Sequence, residues 1–371
     1  MVPLCLVLIG GGLRAILQAM SATMQICSQF ALFALPRGQS SSVPSSADSA
    51  NCSPSIPCPV RVRKNPFLVR KGVEFVSGRH PQTPDREPFV LWTSYQDPHV
   101  PLAPPAPWCH RYDPADSPPP IKREGELDDL PPHIREIYDK KGVDIDPHHA
   151  ECAAHYYGLI EMIDHNVGRI MGALRANGLS ENTVVLFTTD HGEALGDHGM
   201  WGKGPYHYDS VIRAPFIISS PDRFPGGQTH EGVVSLVDFA PTILDIAGVP
   251  IPEGPKPREP VSEDETAPWP GRSLVPVLTG EESGTTGTAL VEDDQDGYGL
   301  RLRTLVTQRY RLTAYSGQSY GELFDLQEDP EEVWNLWDDP AHRSVRDELR
   351  LELLDRIMDT DYPLPRRMGS A

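Results

Sequence analysis

The order of apolar and polar positions along the chain predicts a layered α/β protein. Residues 88–95 (PFVLWTSY) read as a strand, followed by the turn-rich QDPHVPLAPPAPW. From Asp146 to Gly178 apolar residues recur at helical spacing. Tyr156, Ile160, Ile163, Val167, Ile170, Met171 and Leu174 form one stripe of a long helix. Asp146 is its expected N-cap, Pro147 its first residue and Gly178 the residue that closes it. The apolar, β-branched run Thr183–Thr189 follows within a few residues and reads as a buried strand. Residues 213–219 (RAPFIIS) predict another strand, and Asp238–Ala247 a short helix closed by Gly248. Beyond a Pro-rich stretch at 249–273, Thr288–Val291, Leu300–Val306 and Tyr310–Ala314 predict the strands of a smaller sheet. Val345–Met358 predicts an amphipathic helix with Val345, Leu349, Leu353 and Ile357 on one face.

The first quarter follows neither period. Val2–Ile9 is a short apolar run, then Gly10-Gly11-Gly12 and a second run, Leu13–Met20. No basic residue precedes Arg14, so a signal peptide is not expected, and no run reaches the roughly 20 apolar residues of a membrane span. Residues 38–59 are rich in Ser and Pro and read as loop, and residues 61–79 are basic and poorly patterned.

Composition narrows the partners. The chain has 371 residues and a net charge of −19, with +5 carried by residues 1–90 and −24 by the rest. So acidic a body argues against nucleic acid. An anionic substrate would need local cations or a metal. Four of the six cysteines lie within the first 58 residues, without the regular spacing of a disulfide scaffold. The cytoplasm is slightly favoured over an exported location.

The chemistry concentrates where the Thr183 strand ends. Asp190-His191-Gly192 follows it directly, with Glu193, Asp197, His198 and Lys203 close behind. Ligands of open α/β sheets bind outside the carboxyl ends of strands. A carboxylate and an imidazole that both turn toward one cation suit Ca²⁺, Mn²⁺ or Zn²⁺. The alternative is an Asp capping the next turn beside an exposed His. Lys203 follows a small, aromatic-flanked turn and could reach back to an anion, or remain a solvated surface lysine. His99 follows the first predicted strand and could protonate a leaving oxygen, or rest among its neighbouring prolines.

In combination, these passages resemble the sulfatase family of the alkaline-phosphatase-like superfamily, from about Glu87 to the C-terminus. The likeness rests on FVLWTSYQDPHVPLAPPAPW, HYYGLIEMIDHNVGRI, the stretch from Asn182 through KGPYHYDSVIRAPFI, SLVDFAPTILDIAGVP and GELFDLQEDPEEVWNLWDDP. It implies an α/β sandwich with a large central sheet flanked by helices and a small C-terminal α+β subdomain. The implied domains are an atypical segment 1–86, a partial catalytic domain 87–280 and a subdomain 281–371. It further implies hydrolysis of a small-molecule sulfate ester. Asp190 and His191 match metal ligands, usually for Ca²⁺, with Mn²⁺ or Zn²⁺ expected in a phosphonate or phosphate hydrolase. Lys203 matches the lysine on a sulfate oxygen, and His99 the histidine that helps the alcohol leave. Arg213 and Pro215 match a structural Arg-x-Pro.

Two departures shape the expectation. The family's consecutive N-terminal aspartates have no counterpart, since Asp48 is the only acidic residue before Glu74. The family's nucleophile is a formylglycine made from a Cys/Ser-x-Pro-x-Arg motif. Cys52-Ser53-Pro54-Ser55 fills four of those positions, but Ile56 replaces the arginine. The sequence leaves open whether Cys52 is such a precursor. The chain thus reads as a sulfatase lacking the usual N-terminal segment. The alternatives are a phosphonate or phosphate monoester hydrolase and a catalytically dead relative.

Overall fold

A computed structural model describes residues 4–10, 65–78, 89–141, 148–251, 271–282, 287–295 and 300–360. The chain divides into two compact units. One comprises Met1–Pro118, Ala150–Thr189 and Pro215–Asp222, the other Pro119–His149, Asp190–Ala214 and Arg223–Ala371.

The first unit is built on a sheet of four strands among the described residues, in the order β2-β1-β3-β4. Strand β1 is Leu4–Gly10, β2 Phe89–Tyr95, β3 Thr183–Thr188 and β4 Phe216–Ser219. The apolar N-terminal run is therefore strand, antiparallel to β2 (Leu4 opposite Tyr95) and to β3 (Cys5 opposite Thr188). Helix α1, Asn65–Ser77, occupies a stretch that sequence reasoning leaves without structure. Its Val69 and Val76 are fully buried in the core with Phe89, Tyr95, Ile163, Ile170 and Leu174. Valine is a weak helix former, so packing rather than propensity decides this helix.

The long helix is present as His149–Ala176; the expected cap Asp146-Pro147 lies outside the described residues. Its end is as expected. Gly178 has φ +61°, its amide donates to the Arg175 carbonyl and the Leu179 amide to that of Leu174, a Schellman closure. The apolar stripe is rotated from the expected one. Leu159 and Met162 are buried with Ile163, Ile170 and Leu174, whereas Ile160 is 42% exposed. With apolar residues on several faces, spacing alone cannot identify the buried one.

In the second unit a four-stranded antiparallel sheet runs β5 (Ala289–Gln295), β6 (Leu300–Val306), β7 (Tyr310–Tyr315) and β8 (Gly321–Asp325) in sequential order. Strand β8 is missing from the sequence-based expectation. The closing helix, Arg343–Thr360, buries Leu349 and Leu353 on the sheet beside Leu305, Leu312 and Trp337.

The sheet also carries buried polar groups. Arg311 and Glu332 are 1% and 2% exposed at the side chain, and Nε of Arg311 lies 2.6 Å from a Glu332 oxygen. The guanidinium sits against the rings of Tyr208 and Phe324, 5.0 and 4.7 Å from their centroids. The other Glu332 oxygen accepts the Asp209 amide at 2.7 Å. Together these contacts fix Tyr208 and Asp209. Removing one member of a buried pair strands the other charge, at about 3–5 kcal/mol. Arg311→Ala is thus expected to lower denaturant stability by that order. Arg311→Met combined with Glu332→Leu should cost less than the sum of its single changes, because the two groups compensate one another.

Candidate active site

Residues 190–211 of the second unit form a closed loop system. Gly192 donates its amide to the Val211 carbonyl at 2.6 Å, and Glu193 to that of Ser210 at 2.9 Å. The pairing brings the two segments so close that a Cβ on Gly192 would overlap the Ser210 carbonyl. Only glycine fits there. The next loop is closed by the Ala194 amide donating to the Gly202 carbonyl at 3.0 Å. It is held at its tip as well. The Asp197 carboxylate accepts the Ile121 amide at 2.8 Å, and the His198 amide donates back to the Ile121 carbonyl at 2.6 Å. Burial pushes the Asp197 carboxyl above the usual carboxylate range, against the pull of that amide.

His198 is structural. Its ring is buried, stacked on Tyr208 with centroids 3.8 Å apart, and its Nδ1 lies 2.6 Å from the Glu126 carboxylate. Tyr208 is anchored in turn on Arg311, as described above. The loop is therefore set on a buried polar cluster rather than on apolar packing alone.

Asp190 and His191 are brought together. Their nearest carboxylate oxygen and Nε2 are 3.5 Å apart, and the side chains are 24% and 30% exposed. The His191 Nδ1 is 2.7 Å from the Gly192 carbonyl. A carbonyl can only accept, so Nδ1 carries a proton, and in the neutral ring the lone pair is then on Nε2, the nitrogen on the Asp190 side. This is how metal-ligating histidines are ordinarily oriented. Two donors 3.5 Å apart fit neighbouring positions around one divalent ion with bonds near 2.0–2.4 Å. They supply two ligands only. Among the described residues no group of three or more His, Cys, Asp or Glu side chains is placed to hold a metal.

Lys203 is exposed, and among the described residues its ammonium has no hydrogen-bond or ionic partner. It follows Gly202 directly, so the 194–202 bond system determines where it leaves the backbone. Arg213 is 79% exposed and ion-paired to Asp209 at 3.1 Å, a surface contact. His99 belongs to the first unit. It is half-buried, with its amide on the Gln96 carbonyl at 3.1 Å and Nδ1 2.9 Å from the Val100 carbonyl. Its Nε2 is thus the position from which a proton could be given when the ring is charged. Cys52 lies outside the described residues. Sequence reasoning names Glu193 in this loop but gives it no role; its carboxylate accepts the Gly202 amide. The signal was its place between the metal-ligand candidates and Lys203, but a carboxylate that holds backbone amides has no motif of its own.

The residues match two family models: "Sulfatase" over 66–249, and "N-sulphoglucosamine sulphohydrolase, C-terminal" over 196–359. The chain is 29% identical over 295 residues to an arylsulfatase of Clostridium perfringens, which covers 78% of this chain and 57% of that protein. It is 29% identical over 362 residues to the multifunctional alkaline phosphatase superfamily protein PehA of Trinickia caryophylli, covering 89% and 65%. Among solved structures it resembles the phosphonate monoester hydrolase SpPMH of Silicibacter pomeroyi, with TM-score 0.66 and 28% identity over 81% of this chain and 61% of that one. The chain thus spans about three-fifths of the length of these relatives. The fold is the alkaline-phosphatase-like one, and the C-terminal antiparallel sheet with its helix is the smaller α+β part.

Because the 190–193 turn depends on the absence of a side chain at 192, Gly192→Ala should force the Ser210 segment away. The expected cost is about 1–3 kcal/mol of stability, read by denaturant titration. Faster amide exchange at Gly192 and Glu193 should accompany it; unchanged exchange would show that the pairing does not hold the turn.

Proposed function

Since the chain belongs to the sulfatase family, we propose that it hydrolyses a small-molecule sulfate monoester to an alcohol and sulfate. The observation that carries this reading is the loop 190–203. It joins a carboxylate and an imidazole 3.5 Å apart to a lysine that has no hydrogen-bond or ionic partner among the described residues. A divalent ion on Asp190 and His191, Ca²⁺ by preference, would draw charge from the sulfate oxygens.

The protein groups have separable tasks. The Lys203 ammonium is a point charge for one sulfate oxygen and needs no reorganisation when negative charge builds there. His99, protonated at Nε2, gives its proton to the ester oxygen as the S–O bond breaks, so that a neutral alcohol departs, while in the net reaction water supplies the new S–O bond of the sulfate and releases a proton. The acidic body of the protein repels free anions, so the local cations must supply the attraction. No helix among the described residues is long and apolar enough to cross a membrane.

Hydrolysis of a phosphonate monoester is the second reading, supported by the likeness to SpPMH at 28% identity. Lys203 and His99 would serve either tetrahedral anion. The test compares p-nitrophenyl sulfate with a p-nitrophenyl phosphonate under Ca²⁺ and under Mn²⁺. Faster turnover of the sulfate, abolished by chelation and lowered about 10²–10³-fold by Lys203→Ala, is expected. Preference for the phosphonate would favour the second reading, and turnover of neither ester would overturn both.

A further inference from the structure

Glu193 stands between the Asp190–His191 pair and Lys203. Its carboxylate is half-buried and is occupied by the backbone. One oxygen accepts the Gly202 amide at 2.5 Å and lies 3.3 Å from the Leu195 amide. With the Ala194 amide on the Gly202 carbonyl, both polar groups of the Gly202 backbone are bound by residues 193–194. The next residue is Lys203.

The loop so closed needs holding. Leu195 and His198 have φ of +48° and +54°, and Gly196, Gly199 and Gly202 are also left-handed at +103°, +72° and +73°. Non-glycine residues are disfavoured in that region. A chain with such turns keeps one conformation only where cross-links fix it. At the end next to Lys203 two side chains cross-link the loop: the Tyr206 hydroxyl donates to the Trp201 carbonyl at 2.9 Å, and the Glu193 carboxylate holds the amide of Gly202, the residue directly before Lys203. A carboxylate at this place could instead have neutralised the lysine, but the two form no ion pair, and the ammonium keeps its charge for another anion.

We propose that Glu193 is a positioning residue. By clamping the Gly202 and Leu195 amides it fixes the point from which Lys203 projects, and so fixes where the ammonium meets the substrate's anionic group. The inference rests on the reading of Lys203 as an anion contact. Displacing a contact by about 1 Å can cost on the order of 10²-fold in rate, so a clamp of one charged hydrogen bond has leverage out of proportion to its own strength.

The test labels lysines of the full chain with acetic anhydride, with and without inorganic sulfate, and reads Lys203 by mass spectrometry. In the unaltered protein sulfate is expected to slow acetylation of Lys203. Glu193→Ala should abolish that protection while leaving circular dichroism unchanged. Glu193→Gln, whose side-chain carbonyl can accept the same amides, should restore it. Exchange of the Gly202 amide should rise about tenfold in Glu193→Ala, the effect of losing a hydrogen bond to a charged acceptor. Protection that survives in Glu193→Ala, or unchanged Gly202 exchange, would overturn the positioning role and leave the anion reading standing. Absence of sulfate protection in the unaltered protein would instead overturn the anion reading, and the positioning role with it. Failure of Glu193→Gln to restore protection would also count against the clamp, since it would tie the effect to charge rather than to the amides.

Discussion

The close approach of two backbone segments, Gly192-Glu193 against Ser210-Val211, is the constraint on which the candidate site depends. Two amide–carbonyl bonds of 2.6 and 2.9 Å join them, with no room for a side chain at 192. That contact turns the chain just past the candidate ligand pair Asp190–His191 and starts the loop that leads to Lys203. A single backbone contact thereby serves both ends of the site. It fixes geometry as well as contributing stability, and the proposed hydrolysis depends on charges being in place before the reaction begins.

The contact is itself supported from below. Tyr208 and Asp209, immediately before Ser210, rest on the buried Arg311–Glu332 pair, and Tyr208 also carries the His198 ring. Ions taken out of water seldom add net stability. Here they add direction. A carboxylate that accepts one particular amide admits fewer arrangements than an apolar contact would. The C-terminal sheet is thus the platform for the loop, which explains why sequence likeness to the family extends through the tail GELFDLQEDPEEVWNLWDDP.

Much of this was legible in the sequence. The strand at 183–188, the Schellman end at Gly178-Leu179 and the face of the closing helix follow from local rules, and the structure shows each of them. Those rules failed where tertiary contacts decide. Helix α1 buries β-branched valines that local preference would assign elsewhere, and the buried face of the long helix could not be told from its apolar spacing. The N-terminal run forms a strand because β2 and β3 flank it, a fact invisible to any local window. At the candidate site, the residue types of Asp190, His191 and Lys203 are what suggest a cation pair and an anion contact. The work of Glu193 does not show, because a carboxylate bonded to amides two and nine residues away looks like any surface acid in sequence.

Asp190 and His191 are proposed as a pair of metal ligands in the loop that leads to Lys203, rather than a capped turn next to a solvated histidine. Calorimetric titration of Ca²⁺, and separately Mn²⁺, into the full chain and into Asp190→Ala tests it most directly. One ion per chain is expected, with affinity in Asp190→Ala lowered by more than the roughly 10–100-fold that follows loss of an outer-shell partner. Equal affinity in the two proteins, or no binding to either, would contradict it.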